Sequence, residues 1–231
     1  MKILLVISII FLSSVSRAES DYNNIVQFKI TSLQLFSSFS SFIYFQGDDK
    51  NRKRLLTAKA QADAAFSTLS GSSVELKLKW QQISDYIESY QAHNFDGSNM
   101  SLEAGWSILQ GELNNIISML ETHSISLSGA VVPLKIDNIR IKMETILSRY
   151  MVYANSTTGG YGVSYGETPL EEEIMTMKQE LTELVQTEPK YRSLLKKWNY
   201  IESTLLAYNS NIAPFVVLHT FDRMRKMIAS Y

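Results

Sequence analysis

Two stretches of this chain are written to one pattern. Trp80-Gln81-Gln82-Ile83-Ser84-Asp85-Tyr86-Ile87-Glu88-Ser89-Tyr90 sets large apolar residues at 80, 83, 87 and 90. Trp198-Asn199-Tyr200-Ile201-Glu202-Ser203-Thr204-Leu205-Leu206-Ala207-Tyr208 sets them at 198, 201, 205 and 208. Spacings of three and four residues bring such side chains to one side of an α-helix. Each copy follows a lysine-rich turn, Leu76-Lys77-Leu78-Lys79 in the first and Leu194-Leu195-Lys196-Lys197 in the second. The pattern predicts the core helix of a unit that is used twice, and with it an all-α chain.

The remaining helices follow from the same spacing. A first helix over about 24–46 carries Ile25, Phe28, Leu33, Leu35, Phe36, Phe39, Phe42, Ile43, Tyr44 and Phe45, with Lys29 as its only charge and serines between the phenylalanines. A helix apolar on several faces is enclosed by its neighbours. Gly47-Asp48-Asp49 turns the chain into a second helix (49–69) whose stripe is Leu55, Ala58, Ala62, Phe66 and Leu69, and Ser70 to Ser73 turns it again before the Trp80 helix (74–91). A fourth (101–122) carries Trp106, Leu109, Leu113, Ile116 and Leu120. Ser124 to Pro133 is a small-residue connector, and the boundary between two units is placed there.

The fifth helix (134–154) keeps Ile136, Ile139, Met143, Ile146, Tyr150 and Tyr153 in bundle-type spacing. Thr168-Pro169-Leu170-Glu171 reads as a capping box with proline at the first helical position of a sixth helix, and Glu171 to Glu173 suit its dipole. Pro189 opens the Trp198 helix, and Pro214 opens the eighth, with Val217, Phe221, Met224 and Ile228. Offsets of 115, 118 and 108 carry the second, third and fourth stripes onto the sixth, seventh and eighth, with Lys59 opposite Ile174 as a mismatch. The first and fifth helices align less well. The expected architecture is about eight helices in two similar four-helix units (19–126 and 127–231) that arose by internal duplication.

The compartment is read from the N-terminus. Lys2 precedes an apolar run, Ile3 to Leu12, that is short for a bilayer span, and small residues end it at Ser16 and Ala18. This is the layout of a signal peptide (1–18) cleaved near Ala18, so the expected location is periplasmic or secreted. Without Lys2 and Arg17, the 22 basic residues become 20 against 23 acidic ones, a mildly acidic chain with no electrostatic case for nucleic acid. There is no cysteine, which fits a bacterial periplasm better than a disulfide-rich secreted domain and removes thiolate chemistry. The sequons at Asn99 and Asn155 matter only in a eukaryotic setting.

No motif that carries chemistry stands out. His93, His123 and His219 have no second histidine at helical spacing, so no metal site is expected. No nucleophile elbow, phosphate loop or dinucleotide fingerprint occurs, and Gly159-Gly160-Tyr161-Gly162 follows a helix rather than a strand. The carboxylates Glu171 to Glu173, Glu180 and Glu183 read as a solvated helix face, and the lysines beside Trp80 and Trp198 as the solvent edge of a core residue. No cofactor and no enzymatic activity are expected.

Two features point to binding. The segment 155–167 is the only long glycine-rich one, and its Tyr161 and Tyr165 among small polar residues have the composition of an adaptable binding loop. Lys50, Arg52, Lys53 and Arg54 crowd the first turns of the second helix, where the dipole disfavours them. They are read either as a surface neutralised by Asp48 and Asp49 or as a docking patch for an acidic partner. The leading functional expectation is a non-enzymatic accessory subunit of a cell-envelope assembly, with Tyr161, Tyr165, Arg52, Lys53 and Arg54 as its partner-binding residues. The alternatives are a small-ligand module with a site near the two tryptophan stripes, and a membrane-active effector using the Phe36 to Phe45 helix.

Overall fold

The computed structural model describes residues 2–69, 73–91, 95, 104–128, 134–155 and 168–231, with side chains from residue 20 onward except at 91, 104 and 126–128. Among them the chain is all-α. Its helices are α1 (Lys2–Tyr44), α2 (Asp49–Ser67), α3 (Val74–Gln91), α4 (Ala104–Ser128), α5 (Lys135–Asn155), α6 (Leu170–Thr187), α7 (Arg192–Leu206) and α8 (Pro214–Ala229), with a 3₁₀ turn at Pro189–Tyr191 before α7. No helix of the described residues is long and apolar enough to cross a membrane.

The composition of α1 explains its position. Phe28, Leu35, Phe36, Phe39 and Phe42 are fully buried, and so is the serine series Ser37, Ser38, Ser40 and Ser41 between them. Ser37 Oγ donates to the Gln34 carbonyl at 3.1 Å and Ser41 Oγ to the Ser37 carbonyl at 2.6 Å, so these two hydroxyls are satisfied by the preceding turn, while Ser40 Oγ has no partner. Short side chains beside large rings let neighbouring helices close on all sides. Each buried phenylalanine contributes about 1.5–3 kcal/mol, which makes α1 the axis of the first half. Gly47 ends its last turn at φ +72°, donating N–H to the Phe42 carbonyl at 2.8 Å, and Phe95 lies across it. Asp48 then caps α2 by accepting from Asn51 N at 2.7 Å.

Packing runs outward from α1 and α5. α1 lies against α2, α4 and α5, while α5 lies against α1, α6 and α8. Phe28 meets Phe66, and Arg52 covers the Phe42 ring, so α2 runs antiparallel to α1. Lys29 reaches Glu121 while Phe36 meets Trp106, so α4 is antiparallel as well. Gln34 bonds Glu144 and Asn155 bonds the Ser40 carbonyl, so α1 and α5 are parallel neighbours. The first core gathers Phe28, Phe36, Phe39, Phe42, Trp80 and Trp106, and the second Met143, Tyr150, Leu181, Trp198 and Phe221. The two interlock, for Val152 of α5 belongs to the first and Phe45, just past the end of α1, packs on the second.

Both tryptophan stripes are core, as their spacing predicts. Trp80 stacks on Phe66 and meets Phe28 edge-on, and its Nε1 donates to Asp63 at 3.1 Å. Trp198 is fully enclosed, against Phe221, with its Nε1 lacking a hydrogen-bond partner. Tyr208 lies just past the end of α7 yet is buried, donating its hydroxyl to Glu171 at 2.5 Å. Burial, and then the bond to Glu171, push this phenol up to about 12.

Three details differ from the sequence reading. The N-cap of α6 is Pro169 with no side-chain cap bond, because Thr168 stands one residue too early, and its carbonyl is taken by Arg149 instead. α4 continues to Ser128 with Ser124 buried, so the boundary at 126/127 falls inside its last turn rather than in a connector. α4 buries Ile117 and Gln110 more deeply than Ile116 and Leu109, because it must face α1 and α3 together. Each half runs as four helices in the same order, which bundle spacing alone accounts for, and the expected internal duplication is not confirmed. The first and fifth helices are the least alike, since Lys29 and Ser32 fall where Met143 and Ile146 sit.

Candidate functional site

Three polar features lie along the α1–α5 pair. On one face, a chain of bonds closes the seam between the halves. Glu144 is about 1 % exposed and accepts two bonds from Arg225, Nε at 2.7 Å and Nη2 at 2.6 Å, and a third from Gln34 at 3.0 Å. Arg225 Nη1 also donates to Asp222 at 3.0 Å. Asp222 in turn accepts from Arg54 of α2, whose Nη1 donates to Asn51 at 3.0 Å. Four helices (α1, α5, α8 and α2) are thereby tied together through charge-assisted bonds, among the stronger kinds in proteins.

On the opposite face the halves part into a groove of about 540 Å³ between α1 and α4 on one wall and α5 and α6 on the other. Lys29, Glu121, Ser118 and Thr122 stand on the first wall, and Asn138, Lys142, Thr145, Glu173 and Glu180 on the second. Lys29 pairs with Glu121 at 2.6 Å, and Lys142 bonds Glu180. Glu173 lies 2.8 Å from the buried Arg149, which spends Nη1 on the Thr168 carbonyl. Burial holds the Glu173 carboxyl above the usual range, outweighing Arg149 and Lys142, which act the other way. Tyr22 lines the same groove with its phenol raised by burial and then by Glu121 and Asp137, so it stays a proton donor.

The third feature is the end of the bundle where α1 stops and α2 starts. Arg52 is half-buried over the Phe42 ring at 5.2 Å, Lys53 is exposed, and Lys50 lies 5.2 Å over the exposed Phe215 ring. Arg54 is drawn inward by Asp222, so of the expected docking patch it is a tie between helices rather than a free surface charge. Tyr161 and Tyr165 lie outside the described residues. The segment that holds them leaves from Asn155, bonded to the Ser40 carbonyl at 2.7 Å, and returns at Thr168. Both anchors are at the same end of the bundle as Arg52 and Lys53.

The described residues contain no group of three or more His, Cys, Asp or Glu arranged to hold a metal ion. Phe36, Phe39 and Phe42, expected in one reading to meet lipid, are all fully buried. Compared with protein-family models, with curated proteins and with solved structures, the chain matches none.

Sequence reading missed Glu144, Arg149 and Arg225, and it placed Glu173 on a solvated face, whereas that side chain is largely buried beside Arg149. The signal for Glu144 and Arg149 was present, since both sit in the run 143–152 whose neighbours are apolar on every side. Over this run α5 is covered on nearly every side, as α1 is, and that cover buries both charges. Arg225 and Glu173 carry no such mark, for their own helices are ordinary amphipathic ones.

Proposed function

We propose that this chain is an exported, non-enzymatic interaction protein, an accessory subunit that engages another protein of the cell envelope. The observation that carries the reading is the meeting of two separately recognised features at one end of the bundle. The basic start of α2, with Lys50, Arg52 and Lys53, lies where the glycine-tyrosine segment leaves at Asn155 and returns at Thr168. The surface there adds exposed Phe215 and Val216 of α8 to the cations. Aromatic groups beside positive charge suit a partner whose own surface is acidic. Cleavage near Ala18 would leave this end untouched, since it is formed by the far end of α1.

The reading is tested by site-specific photocrosslinking at Lys53 in intact cells. A single envelope partner is expected, lost on K50E/R52E/K53E and on deletion of residues 156–166 while the helical melt is unchanged. Recovery of no specific partner, or of one insensitive to both changes, overturns it.

A further inference from the structure

The groove between α4 and α6 has an electrostatic property that its composition hides. Five charged side chains line it, and every one has an opposite partner. Lys29 pairs with Glu121, Lys142 with Glu180, and Glu173 with Arg149 just behind the wall. These pairs close within one half or the other, Lys29–Glu121 between α1 and α4, and the remaining two between α5 and α6. The two lysines and three glutamates of the lining sum to −1, and Arg149 behind the wall brings the groove to no net charge.

Such a lining selects among ligands by chemistry. A paired ammonium keeps further N–H donors, and a paired carboxylate keeps further lone pairs, so each can serve a neutral hydroxyl without giving up its partner. Asn138, Ser118, Thr122 and Thr145 add short polar groups on both walls, and the protonated phenol of Tyr22 adds a donor. A charged ligand would meet charges already compensated at 2.6–2.8 Å, so the cost of desolvating it would not be offset by a net attraction. An apolar ligand would strip water from five charges and return nothing. The volume of about 540 Å³ lies in the range that takes small molecules.

We propose that this groove is a binding site for a neutral saccharide, held by hydroxyl bonds to the paired side chains of its two walls. The site is separate from the basic end of the bundle, and the opposite seam, tied by Arg225, Asp222 and Arg54, keeps the walls in place.

The test is an ¹⁵N NMR titration of the folded chain with glucose, N-acetylglucosamine and maltose, set beside sodium glutamate and spermidine. At least one of the three sugars is expected to give saturable shifts with Kd of about 1 mM or tighter, confined to Ser118, Thr122, Asn138, Ile141 and Thr145. Ser118→Trp fills the groove from an exposed position on α4 and should abolish them with the melting temperature unchanged. Thr122→Trp, also on the exposed side, replaces it if that variant does not fold. Silence with all three sugars, binding of glutamate or spermidine alone, or sugar shifts that survive the filled groove each overturn the proposal.

Discussion

Arg225 holds Glu144 by two parallel bonds, Nε to Oε1 at 2.7 Å and Nη2 to Oε2 at 2.6 Å, in the interior where α8 crosses α5. Gln34 of α1 adds a third bond to the same carboxylate at 3.0 Å. A carboxylate so enclosed is stable only while its partners stay. Arg225→Met should cost about 3–5 kcal/mol, because it leaves a buried charge unpaired, whereas the double variant with Glu144→Met should recover much of the loss. Urea melts of the two single variants and the double variant measure this coupling, and additive losses would show that the pair is not one unit.

The two stripe tryptophans give a second prediction. Trp198→Ala should lose about 3–5 kcal/mol, the range for removing a large aromatic from a packed core. Trp80→Ala should fall in the same range, and it also deprives Asp63 of the indole donor. Denaturant midpoints at constant m-value read both. An unchanged midpoint for Trp198→Ala would contradict its full enclosure.

Gly47 is held at φ +72°, and a Cβ there would meet the Phe95 ring at 2.4 Å. Gly47→Ala should therefore destabilise by about 1–2 kcal/mol from the backbone alone, and by more unless Phe95 moves off Phe42. Pairing the variant with Phe95→Ala separates the two contributions, since only the steric part should be relieved.

The carboxyl of Glu173 is raised from its ordinary value near 4.5 by burial. For an acid of this kind the folded state binds the proton more readily than the unfolded chain does. Its contribution to stability is thus complete below the ordinary value and is lost as pH rises through the raised one. Comparing wild type with Glu173→Gln across that window should show the wild type falling relative to the variant as pH increases. A relative rise would mean that Arg149, not burial, governs the group.

The N-terminal residues offer a further prediction. Among the described side chains of α1, the first buried one is Tyr22, with Val26 and Ile30 beside it against Ile141. A chain starting at residue 19 should melt like one that carries residues 1–18. A chain starting at residue 27 should be less stable, by roughly 1.5–3 kcal/mol for each buried large side chain removed. If the chain is exported as proposed, N-terminal sequencing of the mature protein should begin at Glu19.

Much of the scaffold was legible because bundle spacing is a local property. Val74 to Gln91 is a helix with the ends its pattern gives, and Pro214 opens α8 as a first-turn proline should. Enclosure of α1 could be read from its phenylalanines and serines. What spacing could not convey is which helix lies beside which. The α1–α5 pair joins residues more than a hundred apart, and from it follow the burial of Glu144 and the groove between α4 and α6. Arg54 looked like a surface charge for the same reason, since Asp222 lies 168 residues further along.

The distance along the chain between α1 and its neighbour α5 has a consequence in time. Gln34 waits for Glu144, 110 residues behind it. At a synthesis rate of about 5–20 residues per second, the cover for one side of the phenylalanine-rich helix arrives roughly 5–20 s after the helix itself. Through that interval the first half has emerged but cannot finish closing, and its uncovered flank is the surface a holding chaperone would guard. Closure of the molecule is therefore a late event, set by the arrival of the fifth helix rather than the first.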